Sequence, residues 1–348
     1  MSNAADPHRR ITISDIAAKA GVSIGSVSYA LSGRKGVSEK TRARIIAVAD
    51  EMGWAPASAA RSLAGAKTAT FGLVLARDPK NLGAEAFYMQ FIAGVETELS
   101  LRNHGLLLQV VPDLRSELDT LRAWRNGRRV DGVILVDVRL DDPRIDYLAK
   151  TPGLPTVVVG DPAVAGGLSS VWTDDAAAVR EAVQLLTDLG HRRIARVSGL
   201  PELAHTHIRD EAFRDEMTAV GGEAIVVGTD YTAEQGAQAT RTLLSRPKNV
   251  PTALIFDNDI MAVAAIGVAT QLGLRVPDDV SIIAWDDSVL LRHTVPTMTA
   301  LSHDVVNFGA HVARRLFEVA DGAAPQTHLD STPHLQLRGS TGPAPADR

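Results

Sequence analysis

The chain has no cysteine, only 4% aromatic residues and no long apolar run, and each shortage removes a class of protein. Without cysteine there is no disulfide framework, thiol nucleophile or thiolate metal site, which fits a reducing, cytoplasmic setting. No stretch approaches the roughly 18 consecutive apolar residues of a membrane span. The opening MSNAADPHRRITISD also lacks the apolar core of a secretory signal, so no membrane partner is expected. Missing too are a G-x-G-x-x-G after a strand, a G-x-x-x-x-G-K-[ST] phosphate loop and a G-x-S-x-G nucleophile elbow. The chain therefore does not read as an enzyme, and no cofactor is expected. His205 and His207 lie two apart in an expected loop, but no carboxylate at ligand spacing joins them, so metal is not expected either.

What is present is globular composition: 348 residues, 45% hydrophobic and 22% charged, enough for two or three compact units. Charge is unevenly spread. Residues 1–67 hold ten Lys/Arg against five Asp/Glu, while the whole chain carries −5, which leaves −10 for the remainder. A basic segment of this kind can face a polyanion while the acidic body stays in solution.

The basic segment reads as three short helices. Thr12 can cap the first, with Asp15 three residues on, and Ile16, Ala17 and Ala20 mark its apolar face. Gly21 can adopt the left-handed conformation that stops it. Ser23 can then cap a second helix from Ile24 to about Leu31. Ser32-Gly33-Arg34-Lys35-Gly36 makes a basic loop, and Ser38 can cap a third helix with the stripe Ile45, Ile46, Val48 and Ala49. Trp54-Ala55-Pro56 ends that helix, and ASAARSLAG follows as a two-turn segment, marginal by itself. The pattern is a helix-turn-helix module, although a small bundle that binds nothing would share it.

TISDIAAKAGVSIGSVSYALSG, VSEKTRARIIAVADEMGW and PASAARSLAG resemble the headpiece and hinge of the lactose-repressor/galactose-repressor family of bacterial transcription regulators. The resemblance implies a second helix in the DNA major groove and a hinge helix in the minor groove, where a leucine wedges between base pairs. It places Ile24, Gly25 and Tyr29 at base-reading positions and assigns DNA contacts to Thr12, Ser23, Ser26, Ser28, Arg34, Ala59 and Arg61. Leu63 matches the wedging leucine. Gly25 carries no side-chain hydrogen-bonding group, so hinge insertion and DNA shape should carry more of the specificity.

Beyond Thr70, nine strand-like runs alternate with helical stretches: FGLVLA, LLLQVV, DGVILVDV, PTVVVGD, SSVWTD, RRIARVSG, EAIVVG, TALIFDN and VSIIAWDD. Parallel α/β sheets covered on both faces are expected, as one large sheet or two smaller lobes. The strand ends present Asp161, Asn258, Asp259, Asp286 and Asp287, where ligands of open α/β sheets bind. Asp259 and Asp287 are expected simply to cap the next helices.

The core segments LGHRRIARVSG, IRDEAFRDEM, FDNDIMAVAAI and GLRVPDDVSIIAWDD are similar to the same family. The resemblance implies a two-lobed, doubly wound, periplasmic-binding-protein-like α/β core behind the all-α headpiece and hinge. The expected division is headpiece 10–55, hinge and linker 56–67, core 68–340 and tail 341–348. Within the core, the N-lobe takes about 68–161 and 289–321, the C-lobe about 162–288 and 327–340. The three lobe crossings then fall near Asp161, near Ser288 and at 321–327. Asp161, Arg209, Asn258 and Asp286 are implied to line an effector site walled by Phe87, Tyr88, Tyr231 and Trp285, with His303 beside it. Carboxylates, an amide and a guanidinium suit vicinal hydroxyls, and aromatic faces suit a sugar ring. The function implied is an effector-responsive repressor that binds a near-palindromic operator as a homodimer, since the Gly- and Pro-containing ending LQLRGSTGPAPADR shows no tetramerising heptads. The alternatives are a purine-type corepressor-dependent regulator or a solute-binding protein.

Overall fold

The computed structural model describes residues 11–31, 36–54, 67–78, 85–151 and 153–346. The chain divides after Thr68 into two units. Arg34 and the expected hinge helix with Ala59, Arg61 and Leu63 lie outside the described residues.

In the first unit, α1 (Ile13–Ala20) opens with a reciprocal cap: the Thr12 hydroxyl accepts from the Asp15 N–H, and the Asp15 carboxylate accepts from the Thr12 N–H at 2.8 Å. Gly21 closes the helix at φ 64, a left-handed turn that costs glycine nothing. Then come α2 (Ile24–Leu31) and α3 (Glu39–Glu51), the latter capped by Ser38. Ile16, Ala17, Ala20, Val27, Ala30, Ile45 and Ala49 form the shared core. The expected stripe on α3 needs one correction. Ile46 is 41% exposed, because one residue past buried Ile45 turns the side chain about 100° away.

The second unit holds two six-stranded sheets. The first contains β1 (Thr70–Ala76), β2 (Gly105–Val111), β3 (Gly132–Leu135), β4 (Thr156–Val159), β5 (Ser169–Thr173) and β11 (Thr327–Ser331), in the order β11-β5-β4-β3-β1-β2. The second contains β6 (Arg193–Ser198), β7 (Glu223–Gly228), β8 (Ala253–Phe256), β9 (Ser281–Trp285), β10 (Thr299–Ser302) and β12 (His334–Gln336), in the order β12-β10-β9-β8-β6-β7. Every pairing is parallel except β10 with β12. The nine expected strands are β1 to β9.

Helices cover both faces of each sheet, which is why the strands read as continuous apolar runs. In the N-lobe, α4 (Ala86–Leu101) and α11 (Val305–Ala320) bury Phe91, Val95, Phe308 and Leu316 on one face. On the other, α5 (Leu114–Asn126) and α6 (Pro143–Ala149) bury Leu121, Trp124 and Ile145. In the C-lobe, α9 (Ala233–Leu244) and α10 (Asp259–Gln271) cover one face, and α7 (Asp175–Asp188) and α8 (Ala204–Ala219) the other. Where α4 and α11 cross, a Cβ at Gly94 would overlap the Val306 carbonyl, and one at Gly309 would overlap that of Phe91. Glycine here permits backbone contact that any side chain would push apart.

The chain passes between lobes three times, later than the family resemblance implied. The crossings lie between β5 and α7 at Asp174, between β10 and α11 at His303–Asp304, and between β11 and β12 at Thr332–Pro333. The expected points near Asp161, near Ser288 and at 321–327 each fall one strand short. Asp161 ends β4, but β5 still pairs with β4 in the same sheet. Ser288 follows β9, but β10 still extends that sheet, and β11 returns to the first sheet after 327.

Candidate functional site

On the headpiece, α2 turns Val27 and Ala30 inward and leaves Ile24 (54% exposed), Gly25, Ser28 and Tyr29 (46%) on the outer face. These four fall at i, i+1, i+4 and i+5, so they share one surface. The Ser23 hydroxyl accepts from the Ser26 N–H at 3.1 Å and shares a bond with the Ser26 hydroxyl at 2.9 Å. The Thr12 hydroxyl donates to Asp15 at 2.6 Å. Thr12, Ser23 and Ser26 therefore hold helix starts, while Ile24, Gly25, Ser28 and Tyr29 form the open face.

In the core, a cavity of about 160 Å³ lies between the lobes, at the carboxyl ends of the strands. All nine side chains singled out from the sequence, Phe87, Tyr88, Asp161, Arg209, Tyr231, Asn258, Trp285, Asp286 and His303, border it. Strands deliver five of them: Asp161 follows β4, Asn258 follows β8, Trp285 and Asp286 end and follow β9, and His303 follows β10.

Their geometry sorts them into framework and open groups. The Tyr88 hydroxyl donates to Asp137 Oδ2 at 2.5 Å, and Tyr88 is 2% exposed. The Tyr231 hydroxyl is bonded to His205 Nε2 at 2.8 Å and to the Thr206 hydroxyl at 3.0 Å. The Asn258 amide caps α10 by accepting from the Met261 N–H and donates to the Tyr231 carbonyl, both at 2.9 Å. Arg209 donates Nε to Asp175 at 2.7 Å and Nη1 to Asp257 at 3.2 Å, with its plane 3.5 Å over the Trp285 ring. One face of Trp285 is thus already covered by a cation–π contact. Asp161 accepts from the Ala163 N–H and starts a short 3₁₀ turn.

The strand-end aspartates need correction. Asn258, not Asp259, caps α10, and Asp259 sits 3% exposed in its first turn. Asp287 caps nothing: it accepts from Arg338 at 2.7 Å and Arg292 at 3.1 Å. His205 and His207 lie in the first turns of α8 rather than in a loop, and they diverge, His205 to Tyr231 and His207 to Glu211 at 3.2 Å.

Further residues line the cavity beside these nine. Arg77 after β1 donates to both oxygens of Asp137, at 2.9 and 3.1 Å, and its guanidinium lies 5.2 Å from the Tyr231 ring of the other lobe. Asp257 after β8 accepts from Arg196 at 2.6 Å and from the Gly199 N–H at 2.9 Å. Trp172 on β5 and Glu85 complete the wall. The strand-end rule that found Asp161 and Asp286 finds Arg77, Asp137 and Asp257 when applied to every strand.

Electrostatics follow burial and partners. Burial alone would raise Asp137, but Arg77, His205 and the Tyr88 hydroxyl together outweigh it and hold the carboxyl down to about 2. Asp257 is likewise held down to about 2, by Arg196 and Arg209 against the cost of burial. Asp286 is pushed up to about 7 by burial, with Asp259, Asp175 and Glu85 adding repulsion that Arg209 only partly offsets. Burial also pushes Glu85 up to about 7 against the pull of Arg77. His205 falls to about 4 through burial and the nearby Arg209, so its imidazole is neutral.

Each lobe braces a cleft aspartate with a buried arginine. In the N-lobe, Arg144 donates to Glu117 at 2.5 Å, to Asp142 at 2.6 Å, and to the carbonyls of Val136 and Asp137 at 3.2 and 2.8 Å. In the C-lobe, Arg196 donates to Asp210 at 2.7 Å and directly to the Asp257 carboxylate. The lobes also touch beside the cavity, where the Ala204 N–H donates to the Val138 carbonyl at 2.8 Å and Arg139 meets Glu202 at 3.4 Å.

A helix-turn-helix unit joined in one chain to a two-lobed core with a polar interlobe cavity defines a ligand-responsive DNA-binding regulator. Residues 12–57 match the model for bacterial regulatory proteins of the lacI family, and residues 183–341 match a periplasmic binding protein-like domain. The HTH-type transcriptional regulator CelR of Thermobifida fusca is 34% identical over 95% of this chain and 98% of its own length. The ribose operon repressor of Escherichia coli K12 is 31% identical over 94% of this chain and 99% of its own. A solved transcriptional regulator CelR–cellobiose complex is 32% identical and superposes with a TM-score of 0.72, covering 95% of this chain and all of that one. The chain belongs to the lacI family of bacterial regulatory proteins. Among the described residues, no helix is long and apolar enough to cross a membrane.

Proposed function

We propose that the chain is a sugar-responsive repressor that binds a near-palindromic operator as a homodimer in the cytoplasm. The open face of α2, with Ile24, Gly25, Ser28 and Tyr29, reads the major groove of each half-site. A sugar enters the interlobe cavity, where Asp286 and Asp161 take hydroxyl hydrogens and Phe87 and Trp172 face the ring.

The observation that carries this reading is the cavity's composition: acceptors and aromatic rings converge from both lobes between two of the three crossings, at Asp174 and His303. A ligand held there touches both lobes at once, so its affinity depends on how they are set against each other, and the coupling to DNA binding is typically ~1–3 kcal/mol. The likeness to a regulator solved with cellobiose supports the sugar class. Cover of the Trp285 face by Arg209 disfavours a purine stacked on that ring.

The test is selection of genomic fragments by the purified protein at fixed salt, with and without a panel of mono- and disaccharides. One palindromic site whose binding shifts with a sugar is the expected result. Binding that shows no preferred site with every sugar would overturn the reading.

A further inference from the structure

The charge balance of the cavity bears on which sugars it admits, a question that rests on the sugar reading above. Among the described residues, eight carboxylates border the cavity and two guanidinium groups do. Both guanidinium groups are already engaged. Arg77 holds Asp137 through two bonds, and Arg209 holds Asp175 and Asp257 while lying on Trp285. Asp161 and Asp174 each accept from a backbone N–H at a helix start.

Three acids remain poorly compensated. Glu85 reaches only the edge of Arg77, at 3.9 Å, and its Oε1 is buried without a hydrogen-bond partner. Asp259 is 3% exposed and its Oδ2 is buried without a partner, with the Ser288 hydroxyl near enough to ease its charge only in part. Asp286 depends on Arg209, which Asp175 and Asp257 share. Carboxylates short of donors leave the wall rich in negative charge, and a sugar hydroxyl supplies a hydrogen to the acids that face the cavity. A phosphate ester brings charge of the same sign and no hydrogen to share. At the intermediate dielectric of such a cavity, each nearby like charge lowers affinity by about tenfold or more.

We propose that the cavity selects uncharged sugars and rejects their phosphorylated forms, with Glu85, Asp259 and Asp286 enforcing the choice. The hydroxyl donors of a neutral sugar add hydrogens to a wall that holds more acceptors than donors. The same carboxylates repel a dianion before it can displace the acids that hold Arg77 and Arg209.

The experiment is calorimetric titration of the full chain at pH 8 with matched pairs: cellobiose and cellobiose 6-phosphate, glucose and glucose 6-phosphate, ribose and ribose 5-phosphate. Glucose 6-acetate serves as a bulky, uncharged control. The expected result is that at least one parent sugar binds, that its phosphate binds at least about 100-fold more weakly, and that Asp286→Asn and Glu85→Gln each narrow the gap about tenfold. A phosphorylated member that binds as tightly as its parent would overturn the charge selection and leave the sugar reading standing. Equal rejection of the 6-acetate, or a gap unchanged in both variants, would also overturn it, by making the exclusion steric. If no member of the pairs or of the wider sugar panel binds, the sugar reading has failed and this inference falls with it.

Discussion

The two lobes share one strand order, yet they fix their halves of the cavity by different means. In the N-lobe, buried Arg144 holds the backbone: it ties Glu117 and Asp142 to the carbonyls that close β3, and Asp137 is presented as a consequence. In the C-lobe, buried Arg196 holds the functional group itself, since it binds the Asp257 carboxylate that in turn binds Arg209. Topology sets where the strand ends fall, and it leaves open how tightly each side chain there is tied into the fold. The C-lobe wall should accordingly be the more sensitive of the two in ligand binding, and the N-lobe brace should matter chiefly for stability.

The largest effect that sharpens this contrast is Arg144→Ala. It strands Glu117 and Asp142 as buried charges and should cost about 3–5 kcal/mol in urea unfolding, while the ligand affinity of the fraction that folds stays within a few fold. Arg196→Ala should destabilise by a similar amount and also weaken sugar binding at least tenfold, read by titration of the folded protein. Equal binding losses in the two variants would erase the distinction between the lobes.

Next comes Arg209→Ala, which unseats Asp175 and Asp257 together. It should abolish the sugar response in an operator-binding assay while sparing operator affinity without sugar. A normal response would mean that Arg209 is framework only. A smaller change is expected of Trp172→Ala on the N-lobe wall, about 1–2 kcal/mol in sugar affinity if its ring faces the ligand. Folding stability should move little, because Trp172 is only partly buried.

The mildest test is pH. Asp286, Glu85 and Glu117, all raised to about 7, bind protons in the folded protein that the unfolded chain has already released. His205, lowered from 6.5 to about 4, opposes them but is outnumbered, so sugar-free stability should rise as pH falls from 8 to about 5. Asp137 and Asp257, held down to about 2, act oppositely, and their contribution is lost as pH falls from about 4 towards 2. Thermal unfolding across pH 3–8 should therefore show a maximum between the two ranges. A steady fall in stability from pH 8 to 5 would contradict the burial of Asp286 and Glu85.

Much of this architecture is legible in the sequence, and the gaps have physical reasons. Long apolar runs such as FGLVLA and VSIIAW announce strands buried on both faces. By contrast, β10 has four residues and β12 three, while β11 reads THLDS and carries no apolar pattern. Those weak patterns account for the second and third crossings, which lie beyond β10 and β11; the first lies beyond β5, whose SSVWTD is legible as a strand but gives no sign of which sheet it joins. In the cavity, aspartates after strands were found where a motif framed them. Arg77 and Asp137 are not legible, because a charged residue leaving a strand looks like the start of a surface loop. Arg144 and Arg196 were hidden for a related reason: only the fold shows that these arginines are buried among carboxylates.

The helix that starts beside His303 sets when the N-lobe is completed during synthesis. Although α11 follows a C-lobe strand, its Phe308, Val312 and Leu316 complete the core of the N-lobe, and β11 adds the edge strand of that lobe's sheet. As the ribosome lengthens the chain, β1 to β5 emerge early, but one face of their sheet has only α4 to cover it until residue 320, and its edge stays unpaired until residue 331. The N-lobe begins first and finishes almost last. A nascent chain halted near residue 300 should expose that apolar face, so full-length synthesis sets when this half of the molecule becomes safe from aggregation.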